Sequence, residues 1–128
     1  MLQLADIALY VIHLAITLYS LLGWLWSRGR RAHLIFLGAI LACWFGLGLW
    51  KGIGYCPFTD WHWQVKVKLG ASYADLPNSF IKHVWDAVLP WPITAPAADV
   101  LTFGAFFASI AVAIWLNFFK QTNPDPSR

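Results

Sequence analysis

The chain has 128 residues, of which 59% are apolar and only 12% are charged, whereas about 25% of residues are charged in an ordinary globular domain. Its formal net charge is +3, and its six acidic residues are all aspartate. This composition excludes a disordered chain, and it leaves too little polar surface for a soluble domain or a nucleic-acid-binding module. The length suits a single domain, which we place at residues 1–120 and interpret as a small integral membrane protein.

Three stretches without Asp, Glu, Lys or Arg are long enough to cross a bilayer. They comprise residues 7–27, 32–50 and 100–119, and a bilayer core about 30 Å thick needs about 20 apolar helical residues. A helix is the only open segment that satisfies its own backbone in lipid. The sequence therefore predicts an all-α membrane protein, rather than three buried helices of a soluble protein, with spans at about 5–26, 32–50 and 97–119.

The charges around the first span indicate how the chain is oriented. Asp6 precedes the span without any Lys or Arg, and no small-residue cleavage site follows it, which argues against a secretory signal. Arg28, Arg30 and Arg31 follow it in a short loop, and basic residues in short loops stay in the cytoplasm. We therefore expect an external N-terminus, an external segment 51–96, a cytoplasmic C-terminus and a flexible polar tail at 121–128.

The external segment is expected to hold one or two short interfacial helices. Residues 78–89 show a helical apolar face, with Asn78 or Ser79 as the cap, Lys82 and Asp86 one turn apart, and prolines afterwards. Twelve residues are too short to span unless the segment re-enters the membrane or extends into a fourth span. Apolar and polar residues alternate over 61–69, as in a half-buried strand. Because a lone strand would lack a partner, we favour a helix capped by Thr59 or Asp60 and ended by Gly70.

Tryptophans and small residues suggest how the spans sit and pack. Tryptophan collects at headgroup depth, which predicts interface anchors at Trp24, Trp26, Trp50, Trp61, Trp63, Trp85 and Trp91. Small residues recur every fourth position in the second and third spans, at Gly38, Ala42, Gly46 and at Ala105, Ser109, Ala113. Such stripes let helices approach closely, so we expect them to pack the spans together or to dock a partner. Gly48, Gly52 and Gly54 are expected to loosen the chain before Cys56-Pro57.

His13 is the one ionisable side chain deep in the first span, which makes it a candidate functional residue. We expect its imidazole to hydrogen-bond to a neighbouring helix, through Thr102, Ser109 or a backbone carbonyl. The alternative is a cofactor site at His13 and His83, because histidine ligates haem and metals. Cys43 lies at a similar depth to His13 and Cys56 lies outside the span, so two separate thiols are expected.

A second candidate site lies in the external segment. Cys56, Asp60 and His62 have side chains that suit a transition metal, although their spacing matches no established motif and a capping aspartate with an interfacial histidine is the structural alternative. The sequence carries no paired carboxylate, phosphate loop or zinc-protease helix. Enzymatic activity is therefore not expected.

Several short motifs resemble a family of small bacterial membrane proteins catalogued only as a domain of unknown function. That family carries a Cys-Pro-Leu-Thr turn, an early His-Leu and a later Phe-Ile-x-His-Tyr stretch. The corresponding residues here are Cys56-Pro57-Phe58-Thr59, His13-Leu14 and Phe80-Ile81-Lys82-His83-Val84. The resemblance covers most of residues 5–118, differs at Phe58, His62 and Val84, and implies three or four helices in a bacterial cytoplasmic (inner) membrane, without an activity.

Two functions follow as expectations. The first is an accessory or scaffolding subunit of a larger membrane complex, whose partners are the lipid bilayer and other membrane proteins rather than nucleic acid. The alternative is a haem- or metal-binding protein for redox chemistry or metal handling that uses His13, His83, His62 or a cysteine. A membrane enzyme acting on a lipid-linked substrate is a third possibility, for which the sequence offers no residue set.

Overall fold

The computed structural model describes residues 1–120, and within that range it is helical without any strand. The helices are α1 (Leu2–Leu22), α2 (Arg30–Leu41), α3 (Gly48–Lys51), α4 (Pro57–Lys68), α5 (Phe80–Val88) and α6 (Ala95–Ile114). A π-helical segment, Ala42–Leu47, joins α2 to α3 without a break, and another, Trp115–Phe119, extends α6. The predicted polar tail at 121–128 lies outside the described residues.

Three helical stretches are long and apolar enough to cross a membrane, which confirms the predicted class. They are Leu2–Leu25, Ser27–Lys51 and Ala95–Phe119, of 24, 25 and 25 residues. At 1.5 Å per residue each is about 36 Å long, more than the bilayer core. Helix α5, with nine residues, is too short to be a fourth. Large apolar side chains such as Ile35, Leu49 and Val100 point away from the bundle, where lipid would surround them.

The interior of the bundle combines a small apolar core with a few hydrogen bonds between spans. Leu37, Phe106 and Ala113 form the buried core. Next to it the Ser20 carbonyl accepts the hydroxyl of Ser109 at 2.6 Å and contacts Nε2 of His33 at 3.1 Å. Buried polar groups of this kind hold helices together in lipid, where the hydrophobic effect offers little drive. The stripe of α6 faces this interior, because Ser109 and Ala113 are buried and Ala105 is half-buried.

The stripe of the second span has the opposite orientation. Gly38, Ala42 and Gly46 are all exposed, and a Cβ added at either glycine would point into open space, with no atom within 4 Å beyond the adjoining turns of its own helix. Periodicity predicts small-residue stripes but not the direction in which they face. In this fold one stripe packs the spans together, and the other lies on the outer surface.

The expected helix at 61–69 is present, but it begins earlier than predicted. Thr59 and Asp60 are not its caps, because Pro57 occupies the first helical position and Cys56 precedes it as the N-cap. The predicted stop at Gly70 is confirmed: the glycine has φ +103°, and Ala71 and Gly70 donate to the carbonyls of Lys66 and Val67. This is a Schellman ending, which favours glycine because φ is positive.

The connection between the second and third spans keeps the name external segment after its expected location, and its second helix follows the prediction closely. Ser79 caps α5 by accepting the N–H of Lys82, and the Lys82 ammonium pairs with Asp86 one turn later. Gly52 and Gly54 have positive φ and turn the chain out of the second span. Helix α4 then packs along α1, and α5 packs against α6. The connection from the second to the third span therefore covers one end of the bundle.

One tryptophan is wrongly predicted as an interface anchor. Trp63 is 4% exposed, and its indole N–H donates to the carbonyl of Pro77 at 2.9 Å. Its ring packs against His62 and His83, so it belongs to the interior of the external segment. Trp26, Trp50, Trp61 and Trp91 are exposed, while Trp24 and Trp85 are partly buried.

Candidate functional site

Polar and aromatic side chains converge where α1 meets α4 and α5. On α1 they recur at Asp6, Tyr10 and His13, a spacing of four and three residues that places them on one helix face. Helices α4 and α5 supply the facing groups. We call this set the outer-end cluster, and its members are Asp6, Tyr10, His13, Cys56, His62, Trp63, Lys66, Phe80 and His83.

Asp6 is the charged centre of the outer-end cluster. Its Oδ1 lies 2.8 Å from Nε2 of His62 and 3.1 Å from Nζ of Lys66. The His62 side chain is fully buried, whereas Asp6 and Lys66 are each about a quarter exposed. A carboxylate accepts hydrogen bonds, so Nε2 of His62 is the protonated ring nitrogen in this arrangement. The Lys66 ammonium balances the charge of Asp6.

Burial favours the neutral form of the two imidazoles on α4 and α5. Burial lowers the pKa of His62 below its usual value of 6.5, and Lys66 lowers it further, although Asp6 opposes this shift. Burial, Lys66 and His62 likewise lower the pKa of His83. The two rings meet edge to face at a centroid distance of 6.1 Å. Protonating either ring would place a second positive charge beside Lys66.

His13 does not form the predicted hydrogen bond to a neighbouring span. Its imidazole is 7% exposed and stacks on Phe80, with centroids 3.9 Å apart and planes at 7°. Its Nε2 lies 3.9 Å from Sγ of Cys56, so its nearest polar partner comes from the external segment. The expected partners are engaged elsewhere: Ser109 bonds to Ser20, and Thr102 bonds to its own helix.

The predicted cofactor pair is not arranged as a pair of ligands. His13 and His83 both contact the ring of Phe80, at centroid distances of 3.9 and 6.5 Å. Phe80 stacks directly on the His13 imidazole and occupies one of its faces. His83 packs instead against Tyr10, His62 and Trp63.

The predicted metal set is divided among three different partners. Cys56 contacts His13, His62 bonds to Asp6, and Asp60 accepts hydrogen bonds from Tyr55 at 3.0 Å and Gln64 at 3.2 Å. Among residues 1–120 no three His, Cys, Asp or Glu side chains are grouped so that they could hold a metal ion. In this fold Cys56, Asp60 and His62 therefore do not come together as the ligands of one metal ion. Cys43 and Cys56 are separate free thiols, as predicted.

A large cavity extends from the outer-end cluster into the bundle. Its volume is about 980 Å³, and its walls come from all three spans and from the external segment. His13 and Cys56 form part of its wall at the end covered by α4 and α5, and Ser20 and Phe36 form part of the wall deeper in the bundle. Cys43 also lines the cavity, so the two thiols and the His13 imidazole face a common space.

Several polar residues that shape the site escaped prediction. His33 is fully buried against Ser20, and a Cβ on Gly23 would lie 2.4 Å from its ring. Asn117 donates to the carbonyls of Arg30 and Ala113. A signal for His33 was available, because it is a second histidine within a predicted span. The partnership of Asp6 with Lys66, 60 residues apart, leaves no local signal.

Comparison with known protein families gives a match over most of the chain. The profile of a family described as Protein of Unknown function (DUF2784) matches residues 3–119 of the chain. No curated protein and no solved structure matches it.

Proposed function

Because this chain belongs to DUF2784, a family of unknown function, we propose its role from its geometry: it acts as an accessory or scaffolding subunit that binds another membrane protein through the outer face of its second span. The observation that carries this proposal is the outward orientation of Gly38, Ala42 and Gly46. Small residues on a lipid-facing surface leave a shallow groove, and a helix of a partner can approach the backbone closely there.

The contrast between the two small-residue stripes supports this role. The stripe of α6 contributes Ser109 and Ala113 to the interior of the bundle, so the packing of the three spans already uses it. The stripe of the second span makes no such contribution, since both of its glycines have open space beside them. Large side chains such as Ile35 and Leu49 flank the groove on the same exposed surface.

Bulky substitutions test the proposal. The triple variant Gly38→Leu, Ala42→Leu, Gly46→Leu fills the groove from exposed positions, and both glycines have open space beside them. The fold should therefore persist while the association is lost. Ala8→Leu with Ala15→Leu is the matched control, because both alanines are exposed on α1. Gentle detergent extraction followed by native electrophoresis should show a larger assembly for the wild type and the control, and only the single chain for the triple variant.

The proposal fails if wild-type protein from its native membrane runs as a lone 14.5 kDa chain, or if the triple variant retains the larger assembly. Circular dichroism and thermal unfolding of the triple variant separate loss of association from loss of fold. Chains that co-purify with the wild type and are lost from the variant would identify the partner.

We also propose that the protein resides in a bacterial cytoplasmic membrane with its N-terminus outside. Arg28, Arg30 and Arg31 in the short connection between the first two spans support this orientation. A fluorescent protein fused after residue 128 should fluoresce, because it would fold in the cytoplasm, and alkaline phosphatase at the same position should be inactive. The reverse pattern would overturn the orientation.

A further inference from the structure

We propose that the cavity between the spans binds a single-chain lipid with an anionic head, of the fatty acid class, whose head lies at the mouth and whose tail lies among the helices. This goes beyond the proposed docking role, because it uses the interior of the bundle rather than the outer face of the second span. The proposal follows from the volume of the cavity, the gradient of polarity along it and the side chains at its mouth.

The size and position of the cavity suit a lipid chain. Pockets that hold drug-sized ligands have volumes of about 300–1,000 Å³, and this cavity measures about 980 Å³. Its wall on α1 runs from His13 to Leu21, eight residues or about 12 Å along a helix axis. The cavity therefore extends along the spans, which is the direction in which a hydrocarbon chain inserted from one end would lie.

The inner part of the cavity offers almost no free polar groups. Ile16, Phe36, Ile40 and Phe106 line it. The two hydroxyls in the same region are already used within α1, since Thr17 donates to the carbonyl of His13 and Ser20 to that of Ile16, at 2.9 and 2.7 Å. A sugar or nucleotide placed there would lose its hydrogen bonds to water without replacement, whereas a hydrocarbon chain would lose none.

The exposed residues Lys51 and Asn78 line the cavity at the end covered by α4 and α5, together with Asp60, and we take this end as its mouth. The mouth is polar and carries one cation, Lys51, and one anion, Asp60. The Asp60 carboxylate accepts two hydrogen bonds, from Tyr55 and Gln64, and lies on α4, while the exposed Lys51 ends the second span at the membrane surface. A carboxylate head near Lys51 would gain a charge interaction while its chain extends inward beside His13 and Cys56.

Both cysteines of the chain line this cavity, so the unmodified protein provides its own test. The wild-type chain in phosphatidylcholine nanodiscs is treated with N-ethylmaleimide, with and without dodecanoic acid, and labelling of Cys43 and Cys56 is followed by mass spectrometry. A ligand at ten times its Kd leaves about one eleventh of the sites free. Labelling should therefore slow by about tenfold, with saturation. Equal labelling rates with and without dodecanoic acid would overturn the proposal.

Two tryptophan substitutions separate the cavity from the bilayer. Ala105→Trp places its side chain in the cavity, which Ala105 lines, whereas Ala108→Trp faces outward from the same helix. Dodecanoic acid should protect the thiols in the Ala108 variant as in the wild type and should give no added protection in the Ala105 variant. Equal protection in both variants would mean that the lipid acts through the bilayer, against the proposal.

The head group is tested at Lys51. Lys51→Gln should raise the Kd for dodecanoic acid about twofold to fivefold, as expected for one exposed charge interaction, and should leave the Kd for dodecanol unchanged. Equal losses for the acid and the alcohol would contradict an anionic head at this residue. Because the variant changes an exposed side chain, circular dichroism should show the wild-type helix content.

Discussion

Replacing Asp6 by alanine should destabilise the external segment against α1. The Nε2–H of His62 would lose its acceptor at 2.8 Å while remaining fully buried, and a buried donor without a partner costs about 1–3 kcal/mol. The pair with Lys66 adds less than about 1 kcal/mol, because both groups are partly exposed. We expect the free energy of unfolding to fall by about 1–4 kcal/mol, measured by circular dichroism during titration of detergent-solubilised protein with sodium dodecyl sulfate.

Two further variants show whether this reasoning holds. Asp99→Ala removes the same side chain from an exposed position on α6 and should change the free energy by no more than about 0.5 kcal/mol. Lys66→Ala removes only the partly exposed ion pair with Asp6, so it should lower the free energy of unfolding by less than about 1 kcal/mol. If Asp6→Ala costs no more than Asp99→Ala, the hydrogen bond to His62 does not hold α4 on α1.

The remaining predictions concern packing and pH. Gly23→Ala should lower the free energy of unfolding by about 1–3 kcal/mol, because its Cβ would overlap the buried His33 ring. Gly104→Ala, with open space beside it, should not lower it. Equal unfolding curves for the two variants would refute the overlap. Because burial lowers the pKa of His62 in the folded protein, the unfolded chain binds more protons below its ordinary value of about 6.5. The contribution of His62 to the free energy of unfolding should be constant above that pH and fall below it, by at most about 1.4 kcal/mol per pH unit. His62→Gln should remove that part of the fall. An unchanged pH profile in His62→Gln would contradict this prediction.

The spans and the short helices were predictable because their signals are local. A charge-free run of about 20 residues forms a helix in lipid. The start of α5 follows from its cap Ser79, and the end of α4 follows from Gly70. The start of α4 was predicted three or four residues late, with Thr59 or Asp60 as the cap instead of Cys56, because the preference of proline for the first helical position was not applied to Pro57. The sequence thus contained the correct signal, and the capping residues beside it were favoured instead.

The candidate site was only partly predictable, because it depends on which helix faces touch. His13, Cys56, His62 and His83 were all recognised as candidates, but their types suggested ligands for a cofactor or a metal. In the fold Phe80 covers His13 and Asp6 engages His62. These contacts join residues tens of positions apart, and no periodicity within one helix specifies them.

The external segment gives this small bundle an asymmetric structure. At the end covered by α4 and α5, buried imidazoles and partly exposed charges lie among aromatic rings. At the other end, Ser20, His33 and Asn117 link the spans through backbone carbonyls. The cavity extends between these two layers. One ring nitrogen of His33 and the side-chain oxygen of Asn117 remain buried without a hydrogen-bond partner among the described residues, so the polar layers are only partly paired.

The central claim is that three helices of this chain cross a lipid bilayer. Alkaline carbonate extraction of membranes from expressing cells tests it directly, because carbonate releases proteins that are only attached to the surface. The chain should remain entirely in the membrane pellet and enter solution only after detergent is added. Release by carbonate alone, or a monodisperse protein in detergent-free buffer, would contradict the three spans and every conclusion built on them.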